Sequence, residues 1–75
     1  MGKAKPTVMN FYIGKRIKEL RRNEGLSQKE LGLMLYPSVT YQQIQKYEKG
    51  KNIISINYIY QLANIFDVKI IDLLS

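Results

Sequence analysis

Two four-residue signatures, Ser27-Gln28-Lys29-Glu30 and Thr40-Tyr41-Gln42-Gln43, constrain this chain more than any other feature. In each, a hydroxyl residue can accept from an early helical amide while a longer side chain three residues on reaches back to the hydroxyl residue's own amide, the pattern that starts a helix. The helix begun at Ser27 carries Leu31, Met34 and Leu35 inward and Gly32 where another element can approach closely. Tyr36-Pro37-Ser38 must break it after about eight residues, because proline disfavours helical geometry in the residue before it and has no amide to donate. The helix begun at Thr40 places Ile44 and Tyr47 inward, runs from about Tyr41 to Glu48, and stops at Gly50. The sequence therefore demands two short, separately capped helices joined by a tight connection.

The remaining pattern is also helical. Asn10 is a good cap for a helix over about Phe11 to Glu24, whose apolar positions Ile13, Ile17 and Leu20 recur at helical spacing and which Gly25 terminates. Met1 to Met9 lack periodicity and read as a basic arm, leaving residues 10–75 as one domain. Ser55 caps a fourth helix over about Ile56 to Phe66, with Ile56, Ile59, Leu62, Ala63 and Phe66 on one face, and Val68, Ile70, Leu73 and Leu74 close the core in a last short helix. With 75 residues and no cysteine, stability must come from packing and capping in a single all-α domain.

Charge narrows the partner. Of the net +6, residues 1–51 carry +7 and residues 52–75 carry −1, so one end of the molecule is electropositive and suited to a polyanion. Histidine and cysteine are absent, the six carboxylates are scattered, and no phosphate-binding glycine loop occurs, so the sequence supplies neither a nucleophile with its base nor a cofactor or metal site. The expectation is a protein that is not an enzyme and uses no cofactor. The chain also lacks an apolar run of membrane-spanning length or a signal-peptide pattern, which points to the cytoplasm and away from a membrane partner.

A short capped helix, a turn, and a second short helix with polar exposed residues at its start make the geometry of a major-groove reader. Tyr41, Gln42 and Gln43 stand at that start, and Gln45 and Lys46 one turn on. A glutamine carboxamide matches adenine N6 and N7, and an aromatic ring packs on the thymine methyl; ordinary solvation is the competing account. Lys46, Lys49 and Lys51 are placed to neutralise phosphates, or simply to complement a helix C-terminus. Gln28, in the first turn of the earlier helix, is a candidate phosphate contact, while Lys3 and Lys5 in the arm are more simply solvated.

From Ile13 to Leu74 the chain resembles the Cro and phage-repressor family of helix-turn-helix regulators, on the stretches Gly25-Leu26-Ser27-Gln28-Lys29-Glu30-Leu31 and Ile44-Gln45-Lys46-Tyr47-Glu48-Lys49-Gly50. Val39-Thr40-Tyr41-Gln42-Gln43 further resembles a branch of short bacterial regulators whose recognition helix opens with an aromatic and two glutamines. The resemblance implies a five-helix fold, base contacts from Tyr41, Gln42, Gln43 and Lys46, and backbone contacts from Gln28 and from the segment holding Lys49, Lys51 and Asn52. It implies that Arg21 and Glu48, otherwise two half-exposed charges, pair between the first and third helices, and that Gly32 lies at the crossing of the second and third. One departure is plain: where the family usually has a single glycine between Leu35 and Val39, this chain has Tyr36, Pro37 and Ser38. The implied function is regulation of transcription, repression foremost, by a homodimer on a pseudo-palindromic duplex operator. The other class open to the fold is an antitoxin or accessory module that holds a protein partner. A dimer, weak without DNA, is expected to use an exposed apolar stripe of Tyr58, Ile65 and Ile71, away from the basic face.

Overall fold

The computed structural model describes residues 7–74, which form five α-helices in chain order: α1 (Val8–Asn23), α2 (Gln28–Met34), α3 (Tyr41–Glu48), α4 (Ile56–Ile65) and α5 (Ile70–Leu74). The expected arm is described only at positions 7–9, so Lys3 and Lys5 lie outside the described residues.

Helix α1 begins at Val8, earlier than expected, because Thr7 is its cap. Asn10 plays the reciprocal part as the third helical residue: its carboxamide oxygen accepts from the Thr7 amide at 2.9 Å and the Thr7 hydroxyl at 3.2 Å. At the other end Gly25, at φ +68°, lets Leu26 donate to the Arg21 carbonyl and Gly25 to that of Arg22, which satisfies two terminal acceptors. Gly50, at φ +70°, closes α3 the same way through Lys51 to Lys46 and Gly50 to Tyr47. After α4 this left-handed position falls to Asp67, at φ +53°.

The core joins Ile13 and Ile17 of α1, Leu31 and Leu35 around α2, Ile44 and Tyr47 of α3, Ile59, Leu62, Ala63 and Phe66 around α4, and Leu73 of α5. Burial of each large aliphatic contributes about 1.5 to 3 kcal/mol, which is what stabilises helices too short to persist alone. Two residues expected inside are exposed. Met34 falls at the edge of the helical face set by Leu31, Gly32 and Leu35, and α2 ends there. Ile56 has the right helical angle but sits in the first turn of α4, and the preceding loop instead turns Ile54 into the core.

Backbone approach is closest at two glycines. A side chain at Gly14 would collide with the Tyr47 carbonyl where α1 crosses α3. At Gly32 the obstructing atom is the Val39 carbonyl, in the turn before α3, and the Val39 amide donates to the Gly32 carbonyl at 3.1 Å. Gly32 thus marks a helix-to-turn contact, with Ile44 of α3 just beyond it.

Candidate nucleic-acid interface

The geometry of α3 follows from its own periodicity. Ile44, Tyr47 and Glu48 are buried, so Tyr41, Gln42, Gln45 and Lys46 project to solvent on the opposite face, with Lys49 continuing it just past the helix end. The Thr40 hydroxyl accepts from the Gln43 amide at 3.2 Å, the first half of the expected capping box. The return half is not made. Gln43 is half-buried, which sets it apart from the exposed residues beside it, and its side chain lies close enough to the Tyr47 phenol to influence its ionisation. Burial pushes the Tyr47 phenol above its ordinary value, the Gln43 side chain partly offsets this, and Tyr58 adds to it electrostatically.

In α2 both halves of the box form: the Ser27 hydroxyl accepts from the Glu30 amide at 2.9 Å, and Glu30 Oε1 accepts from the Ser27 amide at 2.9 Å. That backbone bond, with the Ser27 hydroxyl second, holds the Glu30 carboxyl below the usual range.

Arg21 and Glu48 are far less exposed than their sequence positions suggest, with side chains 11% and 3% accessible. Arg21 Nε donates to Glu48 Oε2 at 2.6 Å and a terminal nitrogen donates to Oε1 at 3.1 Å, while the other reaches the Leu26 carbonyl at 2.8 Å. Gln28 Nε2 donates to the same Glu48 Oε1 at 3.1 Å. The Arg21–Glu48 pair therefore ties the end of α3 to α1, the α1–α2 loop and the first turn of α2. Gln28 is half-buried, and its carboxamide nitrogen is engaged in this network. Among the described residues no buried side-chain nitrogen or oxygen lacks a partner.

The turn between α2 and α3 holds the largest surprise. Tyr36 is 83% exposed and Pro37 and Ser38 are exposed too, so no side chain of the insertion is buried. Its backbone is held from α4: the Tyr36 amide donates to Gln61 Oε1 at 2.8 Å, Gln61 Nε2 donates to the Tyr36 carbonyl at 2.7 Å, and the Tyr58 hydroxyl donates to the Pro37 carbonyl at 2.7 Å. The Tyr36–Pro37 peptide is cis. Sequence reasoning missed Gln61, because nothing along the chain relates it to a turn 25 positions away. Gly14 was legible in principle: a glycine inside a helix weakens it, and so signals a close approach.

The expected dimer stripe is only partly exposed. Tyr58 and Ile65 are half-buried against the core, whereas Ile71 is 63% exposed. Of the expected backbone contacts, Lys49 and Lys51 are exposed and Asn52 half-buried, in the segment just beyond α3.

Two helices packed across a turn, the second presenting a polar outer face and locked from behind, define the class of helix-turn-helix domains. The chain belongs to the helix-turn-helix family, whose model matches residues 17–73. It is 38% identical over 66 residues to an uncharacterised HTH-type transcriptional regulator, y4aM, of Sinorhizobium fredii, covering 88% of this chain and 45% of that protein. A second such relative, RC0668 of Rickettsia conorii, is 42% identical over 59 residues, covering 79% of this chain and 46% of its own length. The chain thus spans a little under half the length of these relatives. Among solved structures it is similar to the restriction-modification controller protein C.AhdI from Aeromonas hydrophila, with a TM-score of 0.77 and 27% identity over 89% of this chain and 98% of that one. The DNA-binding domain of BldD from S. venezulae shares the fold, with a TM-score of 0.77 at 19% identity over 92% of this chain and all of that one. Among the described residues no helix is long and apolar enough to cross a membrane.

Proposed function

We propose that this protein is a sequence-specific DNA-binding regulator of transcription, and not an enzyme, which inserts the start of α3 into the major groove. The observation that carries the reading is the division of α3 between a buried face fixed by the Arg21–Glu48–Gln28 network and an outer face of Tyr41, Gln42, Gln45 and Lys46. An outer face of that composition has base-reading donors and acceptors at its tip and a cation farther along. Gln42 is the principal adenine reader, Tyr41 a thymine-methyl contact, and Lys46 a base or phosphate contact. Gln43, half-buried beside Tyr47, contributes chiefly by ordering this face. Lys49, Lys51 and Asn52 contact the phosphate backbone, as does Gln28 through the part of its side chain not bonded to Glu48.

The working form is a homodimer on a pseudo-palindromic operator, its recognition helices about one helical turn, roughly 34 Å, apart. That the relatives are HTH-type transcriptional regulators and C.AhdI a restriction-modification controller protein supports regulation, and repression by occupancy asks least of the protein, because binding alone suffices. The test is selection of preferred sites from a pool of random duplexes, followed by a salt titration on the winner. A preference of about a thousandfold or more over random DNA, and affinity falling steeply with salt, are expected. Absence of any preference would overturn the reading and favour a module whose partner is a protein.

A further inference from the structure

We propose that Gln61, assisted by Tyr58, is a positioning residue for DNA recognition: from α4 it sets the attitude of α3 by holding the backbone of the Tyr36-Pro37-Ser38 turn. The inference rests on the DNA-reading function proposed above. The turn is the direct lead-in to the recognition helix, and its two ends are anchored differently. At the α3 end, Val39 is pinned to Gly32 by an amide-to-carbonyl bond of 3.1 Å and by backbone contact too close for any side chain at Gly32. At the α2 end, the helix has finished at Met34, and Leu35, buried in the core, is the last residue held by packing. Between them the three inserted residues bury no side chain, so hydrophobic packing does not fix their path.

The Gln61 carboxamide supplies the missing constraint, pairing with both the amide and the carbonyl of Tyr36 at 2.8 and 2.7 Å, as a neighbouring peptide group would in a sheet. A single bond leaves rotation about its axis, whereas a paired donor and acceptor fixes orientation as well as distance. The Tyr58 hydroxyl adds a third bond at Pro37, one residue on and one turn earlier on the same helix. Tyr58 is also partly buried against the core to which Ile44 and Tyr47 of α3 belong. Because base contacts depend on sub-ångström placement, releasing these bonds tilts Gln42 and Tyr41 away from the base edges without removing either.

The experiment uses the whole chain, a duplex selected from a random pool, and random-sequence duplex of equal length. Wild-type protein is expected to discriminate strongly between them. Gln61→Met, which keeps the bulk and removes both bonds, is expected to lower that discrimination by about tenfold, comparable to losing one good base contact, with affinity for random DNA within about twofold of wild type. Tyr58→Phe, which deletes one oxygen, should shift the ratio in the same direction by less. The Tyr36 amide should lose its protection from hydrogen exchange in Gln61→Met. Undiminished discrimination in both variants, or equal losses on the two DNAs, would overturn the positioning role while leaving DNA reading intact. If wild-type protein itself shows no discrimination, the DNA-reading function falls and this proposal with it. Should Gln61→Met fail to fold, Tyr58→Phe decides by the same ratio.

Discussion

Gly14 and the Arg21–Glu48 pair show how single residues control the angle between α1 and α3. Gly14→Ala places a methyl group against the Tyr47 carbonyl, a backbone atom that cannot rotate away. The helix must shift, and we expect a loss of about 2 to 3 kcal/mol in denaturant unfolding, although alanine favours helix over glycine by about 1 kcal/mol. The charge pair behaves differently because its members need each other. Glu48 is buried, so removing Arg21 strands a carboxylate that then has only Gln28 as a partner. Arg21→Met is expected to cost about 3 kcal/mol, Arg21→Ala somewhat more through the lost packing of the arginine stem, and Arg21→Met combined with Glu48→Gln less than the sum of the single changes. A thermal-melt cycle lacking that coupling would remove the ion pair from the account of the fold.

At the scale of the element, α2 and α3 differ in how they begin, and each difference has a measurable result. The complete box of α2 makes its stability sensitive to acid. Because the folded Glu30 carboxyl is held below its ordinary value, its contribution is present above that value and disappears as pH falls through the lower folded one. Glu30→Gln should therefore melt with a weaker pH dependence than wild type between about pH 5 and pH 3. Equal slopes would show that the box does not titrate. On α3 the exposed tip permits a substitution that leaves the core untouched. Gln42→Ala should weaken binding to the selected operator by roughly 1 to 3 kcal/mol with random-DNA affinity almost unchanged. Equal losses on both DNAs would move Gln42 from base reading to the phosphate backbone.

The whole molecule is polarised. Eleven of the twelve basic residues lie in residues 1–51, five of them on α1 and four on α2, α3 and the segment just after α3, while residues 52–75, which build α4 and α5, sum to −1. That leaves the less basic end for self-association. With Tyr58 bonded to the α2–α3 turn and Ile65 half-buried, the proposed interface centres on Ile71, 63% exposed on α5. A patch of this kind is small beside the area of stable dimers, so association should be weak in free solution and favoured on DNA. Ile71→Lys is expected to leave the melting curve and half-site binding intact while abolishing cooperative filling of a full operator. Cooperativity that survives this change would place the interface elsewhere, and a collapsed melt would return Ile71 to the core.

How much of this was legible in the chain depends on the range of the interaction. The helix starts at Ser27, Thr40 and Ser55 and the ends at Gly25 and Gly50 could be read directly, because capping and left-handed termination act within a few residues. The inner and outer faces of α3 follow from helical period alone. The start of α1 was misplaced because Thr7 and Asn10 both suit a cap, and only their mutual bond shows which does it. Met34 and Ile56 carried the right pattern yet lie outside, since burial needs a facing neighbour and periodicity does not say where elements end. The close approach of Tyr47 to Gly14, the sharing of Glu48 between Arg21 and Gln28, and the grip of Gln61 on Tyr36 were decided by tertiary structure. Each joins residues at least 20 positions apart whose meeting depends on how the helices cross. A local code reaches about one helical turn, and beyond that distance partners are chosen by packing.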